Sequence, residues 1–250
     1  MVSTNEGPDV MTYLDFARLE SVDARAFREG HPYPWINPEG LLTEEGFQHL
    51  RATLPPLDLC TPMFGINRSH GQQPHDRYAL EYQRELTVAE PWHAFVEELK
   101  GEAYGRFLRR MFGRGRMQLN FHWHYTPNGC SVSPHCDATR KIGSHIFYFN
   151  TPEDWAPEWG GETVILDDGG RFARRSAPAF EDFDRVMAGE ALGNRSLLFQ
   201  RQGNSWHGVR TIHCPEGAYR KVFIVVINDR LKAFRRRVIG RLRGEALRDY

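Results

Sequence analysis

At Met117 the chain changes rhythm. Before it, apolar residues recur at helical spacing; after it, they come in short runs or alternate with polar ones. Residues 117–125, 142–150, 163–166, 196–200 and 220–228 each have this period-two or short apolar character, and Gly, Pro, Asn and Asp clusters separate them. Five such segments in just over a hundred residues need two packed sheets or a closed barrel to bury their apolar faces. The expected architecture is therefore a β core behind a helical amino-terminal support.

The first half supplies that support. Residues 13–29 place Leu14, Phe16, Leu19, Val22 and Phe27 on one helical stripe that ends at Gly30, before a Pro-rich turn at 31–38. Thr43 is an N-cap candidate. Glu44 and Glu45 follow in the first turn, where the helix dipole favours them, with Phe47, Leu50 and Leu54 as the apolar stripe and Pro55 and Pro56 as the stop. A polar stretch at 67–76 reads as a loop, and a third helix is predicted over 91–112, stopping at Gly113. A short helix is also expected within 180–187. The expected division is one domain over 1–250: support at 1–116, β core at 117–230 and a basic helix at 231–250.

Charge narrows the function classes. Lys plus Arg equals Asp plus Glu at 32 each, so no global field draws the chain to nucleic acid or to an anionic membrane. Any charged substrate must be held by local groups. Cys60, Cys130, Cys136 and Cys214 form no CxxC pair and no secreted-scaffold rhythm, which predicts reduced thiols and a cytoplasmic protein. Residues 1–10 lack a basic and an apolar signal region, and the longest apolar run, 222–227, is too short to span a bilayer.

Chemistry concentrates in the β half. In extended chain, residues i and i+2 share a face, so His135 and Asp137 can offer an imidazole and a carboxylate to one metal while Cys136 points away. With eleven His and 32 acidic residues in 250, roughly one His-x-acid triplet is expected by chance, so the triplet alone decides nothing. Order and context add the weight. His207 follows a later strand and completes a two-histidine, one-carboxylate set, the facial arrangement of non-haem Fe(II) oxygenases. Arg220 then opens an apolar strand, where a buried guanidinium needs an anionic partner such as a dicarboxylate. Lys221 next to it is the alternative partner, although a forked guanidinium suits a carboxylate better.

The segment 117–230 resembles the 2-oxoglutarate and Fe(II)-dependent dioxygenases, in particular their prolyl-hydroxylase-like branch. The resemblance rests on Phe121-x-x-x-Tyr125-x-Pro127-x-Gly129, His135-x-Asp137, Ile146-Phe147-Tyr148-Phe149-Asn150 followed by Trp155, Gly160-Gly161, His207-x-Val209 and Arg220, in that order. It implies a double-stranded β-helix, a jelly-roll relative, with His135, Asp137 and His207 as iron ligands. It further implies that Arg220 and Tyr148 hold the far carboxylate of 2-oxoglutarate, and that Tyr125 lies beside the iron. The co-reactants it implies are Fe(II), 2-oxoglutarate and dioxygen, with ascorbate as accessory reductant. The activity it implies is hydroxylation of a C–H bond in an amino-acid, peptidyl or small-molecule substrate, releasing succinate and CO2. A carboxylate at 137 points away from halogenation, since halogenating relatives carry Gly or Ala there. Desaturation, cyclisation or demethylation on the same iron is the nearest alternative, and a non-catalytic jelly roll binding metal or a small acid is the rival of another class.

Strand alternation extends these assignments. If Tyr148 faces the pocket, so do Ile146 and Ser144; if Arg220 does, Val222, Ile224 and Val226 follow. On the earlier strand, placing Tyr125 inward brings Trp123, Phe121 and Leu119 with it and turns His122 and His124 outward into packing roles. His70, His75 and His145 are read as loop or surface residues, with His70 and Arg77 close to where a substrate would enter. Gly160-Gly161 is read as a backbone requirement, and Cys136 as inert. Arg235, Arg236, Arg237, Arg241 and Arg243 are read as the solvated face of a packed helix rather than an anion-binding or membrane-surface one.

Overall fold

The computed structural model describes residues 11–115 and 117–231. The basic tail therefore lies outside the described residues. The amino-terminal part comprises α1 (Phe16–Ser21), α2 (Ala24–Arg28), β1 (Trp35–Ile36), α3 (Glu44–Ala52), β2 (Thr61–Met63), β3 (Arg77–Glu81), α4 (Glu90–Lys100) and α5 (Glu102–Phe112). The β-rich part follows with β4 (Met117–Pro127), β5 (Val132–His135), β6 (Lys141–Tyr148), β7 (Val164–Asp167), β8 (Arg185–Ala188), β9 (Ser196–Gln200), β10 (Trp206–Val209) and β11 (Tyr219–Asp229).

Two helices expected to be continuous are broken. Over 13–29 the chain becomes extended at Val22 and Asp23 caps a second helix, its carboxylate accepting from the amides of Arg25 and Ala26. The predicted 91–112 helix turns a corner at Gly101, where a Cβ would come within 2.9 Å of the Glu98 carbonyl. Thr43 caps α3 as expected, accepting from Gly46 N at 3.0 Å. The stretch at 180–187 is a 3-10 turn leading into β8, rather than a helix. The support is also less purely helical than expected, because β1, β2 and β3 join the large sheet.

That sheet has the order β1-β9-β6-β11-β4-β3-β2, and a second sheet has the order β5-β10-β7-β8, with every pair antiparallel. Helices cover one face of the large sheet. Trp92 and Phe95 of α4 meet Trp123 and Phe223 there, the ring centroids of Trp92 lying 5.1 Å from each of these two partners. Burying one such ring contributes roughly 2–3 kcal/mol. The other face meets the small sheet, where Ile146, Tyr148, Ile165, Leu197, Phe199 and Val222 form a second apolar cluster. This is the two-sheet jelly-roll arrangement expected, with the helices as a third layer. Beside the inter-sheet cluster the two sheets part and enclose a cavity.

Candidate active site

The register of the small sheet builds the centre of this cavity. β5 and β10 pair so that His135 lies directly opposite His207, with ring centroids 4.3 Å apart. Asp137 follows just past the end of β5. One nitrogen from each imidazole and one carboxylate oxygen lie within 4.8 Å of one another, and all three residues are buried. The two imidazoles are anchored alike: Nδ1 of His135 is 2.9 Å from the Ser133 carbonyl, and Nδ1 of His207 is 2.9 Å from the Ser205 carbonyl. A carbonyl only accepts, so each Nδ1 carries the proton and each Nε2 keeps its lone pair for a metal.

Charge is arranged to match. Burial lowers the pKa of both histidines, that of His135 well below its ordinary value, so the imidazoles are neutral. Burial alone would raise the Asp137 pKa, but the charge and hydrogen bond of Lys141 offset it and hold the carboxyl below the usual range. Lys141 Nζ is 2.6 Å from Oδ1 of Asp137, and the Ser144 hydroxyl donates to Oδ2 at 3.2 Å. Two neutral imidazoles and a fixed carboxylate on one side of an open cavity suit Fe(II) with positions left for small ligands.

Arg220 lies on another wall of the same cavity, buried at 6 % exposure. Its Nε donates to the Gly161 carbonyl and its Nη2 to Thr163 Oγ1 at 3.0 Å, while the Tyr148 ring lies 5.6 Å from Cζ. These contacts leave N–H donors of the fork for an anion. Gly161 is required here: its φ is +102°, and a Cβ would press within 3.3 Å of both Arg220 Cδ and the Trp155 ring. Lys221 points to the opposite face, pairing with Asp154 at 3.1 Å, so register places Arg220 rather than Lys221 in the cavity. Cys136 lies outside the cavity lining, its thiol pushed up to about 12 by burial.

The face assignment on β4 needs correction. β4 pairs with β11 so that Tyr125 opposes Lys221, while His124 opposes Val222 and His122 opposes Ile224. Opposed residues share a face. Tyr125 therefore points to the helices, donating its hydroxyl to the Pro55 carbonyl at 2.8 Å, and is not beside the triad. His122 and His124 line the cavity instead. Two of the other histidines are also deeper than expected. His75 is buried against His135, with ring centroids 4.5 Å apart, and His145 is fully buried on the helix side, its Nδ1 2.8 Å from the Tyr104 hydroxyl. Exposed His70 stays on its loop, while Arg77 reaches the cavity. Lys141 and Arg68 had no signal in the sequence. Lys141 sits four residues past Asp137 and resembles any strand-end lysine, and Arg68 lies in a loop whose path nothing local fixes.

Residues 118–227 match the family model of the 2OG-Fe(II) oxygenase superfamily. Over this segment the match supports the 2OG-Fe(II) oxygenase superfamily. That match supports a 2-oxoglutarate-dependent dioxygenase and implies Fe(II), 2-oxoglutarate and dioxygen as co-reactants. Solved structures share the oxygenase fold. A prolyl-4-hydroxylase from Pseudomonas putida aligns with a TM-score of 0.56 at 16% identity, covering 83% of this chain and 98% of that one. A prolyl hydroxylase from Trichoplax adhaerens, solved with a hypoxia inducible factor peptide fragment, aligns with 0.59 at 12%, covering 87% and 94%. SnoK, an alpha-ketoglutarate dependent carbocyclase from nogalamycin biosynthesis, aligns with 0.57 at 11%, covering 85% and 86%. No curated protein matches the oxygenase sequence significantly. No helix among the described residues is long and apolar enough to cross a membrane.

Proposed function

We propose that this oxygenase is a hydroxylase in which His135, Asp137 and His207 hold the iron, and Arg220 with Tyr148 holds the distal carboxylate of 2-oxoglutarate. The observation that carries the reading is the pair of Nδ1-anchored histidines meeting one buried carboxylate in the cavity that Arg220 also lines. Bound iron supplies dioxygen activation coupled to oxidative decarboxylation of 2-oxoglutarate. The balance is one C–H, one dioxygen and one 2-oxoglutarate in, and one alcohol, one succinate and one CO2 out.

The chain's own residues position and protect this reaction. The Ser133 and Ser205 carbonyls fix the imidazole planes, Lys141 and Ser144 keep Asp137 ionised and oriented, and the forked Arg220 sets the direction from which the co-substrate enters. Ile146, Ile224 and Val226 line the cavity with apolar surface that excludes water. The substrate is a small molecule, amino acid or peptidyl group rather than a nucleic acid or membrane lipid, in keeping with the zero net charge. Residues 1–116 act as support for the catalytic part at 117–230 within one domain. Four free cysteines fit a cytoplasmic location.

The deciding experiment is aerobic incubation with Fe(II), 2-oxoglutarate and a substrate panel, reading succinate release and product mass. A product heavier by one oxygen atom is expected. Failure of the purified protein to bind both Fe(II) and 2-oxoglutarate would end the oxygenase reading of the site.

A further inference from the structure

The cavity is charged far beyond what iron and 2-oxoglutarate require. Arg68, Arg77, Lys141 and Arg220 all line it, and Asp137 is its only acidic side chain among the described residues. Lys141 is spent on Asp137, and Arg220 is assigned to the co-substrate. The two carboxylates of 2-oxoglutarate balance no more than the two charges of the metal, so the positive charge of Arg68 persists in the loaded site. This excess is local, because the whole chain is neutral.

Both arginines come from one segment. Arg77 opens β3 and is buried, its Nη1 donating to the His75 carbonyl at 2.6 Å. Arg68 reaches in from the loop between β2 and β3, and its buried Nε has no hydrogen-bond partner. No ion pair involving Arg68 occurs among the described residues. Both guanidiniums bear on His75, which packs against His135, so the pair stands close to the triad. His124 is held neutral by burial and has its Nε2 buried without a hydrogen-bond partner, which adds a polar contact without adding charge. The buried Nε of Arg68 without an acceptor is costly, and a neutral or cationic substrate would leave it so.

Resting on the hydroxylase reading above, we propose that the molecule oxidised is a small organic anion whose carboxylate or phosphate is held by Arg68 and Arg77 while 2-oxoglutarate occupies Arg220. The oxyanion takes the forked donors of Arg68, and the remainder of the molecule lies toward the triad along the apolar wall. Matched substrates that differ only in this group are sorted accordingly, with acids and phosphate esters accepted and the corresponding amides and alcohols refused.

The test uses the full chain loaded with Mn(II) and 2-oxoglutarate without oxygen, and propionate and methyl phosphate as probes. Relaxation of their methyl protons by Mn(II) reports binding near the metal. Expected are saturable relaxation by at least one probe, none by propionamide, and affinity at least about tenfold weaker in Arg68→Gln with 2-oxoglutarate affinity unchanged. Arg77→Lys, which keeps the charge and loses the fork, is expected to fall between. Which probe binds more tightly separates a carboxylate from a phosphate substrate. Equal affinity in Arg68→Gln, equal relaxation by propionamide, or displacement of 2-oxoglutarate by the probes overturns the proposal and leaves the hydroxylase reading standing. Failure to load Mn(II) and 2-oxoglutarate at all removes the hydroxylase reading and the proposal with it.

Discussion

The two faces of the large sheet are made from the same strands and do opposite work. Toward the helices, β4, β6 and β11 present Phe121, Trp123, Phe147, Phe223 and Val225, a surface defined by volume and shape. Toward the small sheet they present His122, His124, Ser144, Ile146, Arg220 and Ile224, a surface defined by donors, acceptors and charge. Histidine occurs on both. His145 on the helix side is a core residue, its Nδ1 paired with the Tyr104 hydroxyl and its ring packed among Tyr104, Phe107 and Phe147, whereas the histidines on the other side line a cavity. Residue type therefore carries little information about role here, and the face on which a residue lies carries most of it.

The sharpest test of this division is loss of a ligand. His207→Ala should abolish turnover and lower Fe(II) affinity by more than about a hundredfold, since even disturbing a ligand's outer partner costs 10–100-fold. Metal titration reads this, and affinity close to wild type would remove His207 from the ligand set. A core substitution should do the reverse. Phe223→Ala is expected to cost about 3–5 kcal/mol in urea denaturation through the cavity it leaves, with iron affinity nearly unchanged in the folded fraction. Neighbours on opposite faces give a finer comparison. Arg220→Gln should weaken 2-oxoglutarate binding by about 10–100-fold through lost charged hydrogen bonds, whereas Lys221→Gln loses a half-exposed ion pair worth less than about 1 kcal/mol and leaves 2-oxoglutarate binding intact. Similar effects of the two would contradict the register.

The helix-side face is also tested by pH dependence. Burial pushes the pKa of His145 down to about 3, below the ordinary 6.5. The unfolded chain therefore takes up the proton first, so this contribution to stability is complete above 6.5 and is lost as pH falls towards 3. By pH 5 the loss is about 2 kcal/mol. Denaturation at pH 8 and pH 5 should show that share removed in the double variant Tyr104→Phe/His145→Phe, and an unchanged pH slope would mean that His145 is not the neutral core residue described.

What could be read from the sequence follows the same division. Long periodic strands and the capped α3 were legible because their signals lie within the strand or helix itself, and so were the alternating faces of β6 and β11. The triad was legible because His135 and Asp137 share a local spacing and the wider motif order supplied His207. The face of β4 was misassigned because Tyr125 and His124 alternate equally well either way. Only the pairing of Tyr125 with Lys221 fixes the choice, and that pairing lies between strands. β5 and β10 were missed as strands because Pro134 and His135 in one and His207 and Gly208 in the other interrupt the apolar pattern within four residues, and β1 to β3 because they are short additions to a sheet formed elsewhere.

The direct opposition of His135 and His207 across β5 and β10 has a consequence for how such a chain can change. The seventy-odd residues between the two histidines are free to lengthen or shorten, since loops absorb the difference. The ladder is not free in this way: one residue inserted within β5 or β10 turns an imidazole to the far side of the sheet. The two short strands thus act as a ruler for the iron site, reading distance in rungs rather than in sequence, and variation can accumulate everywhere except between its marks.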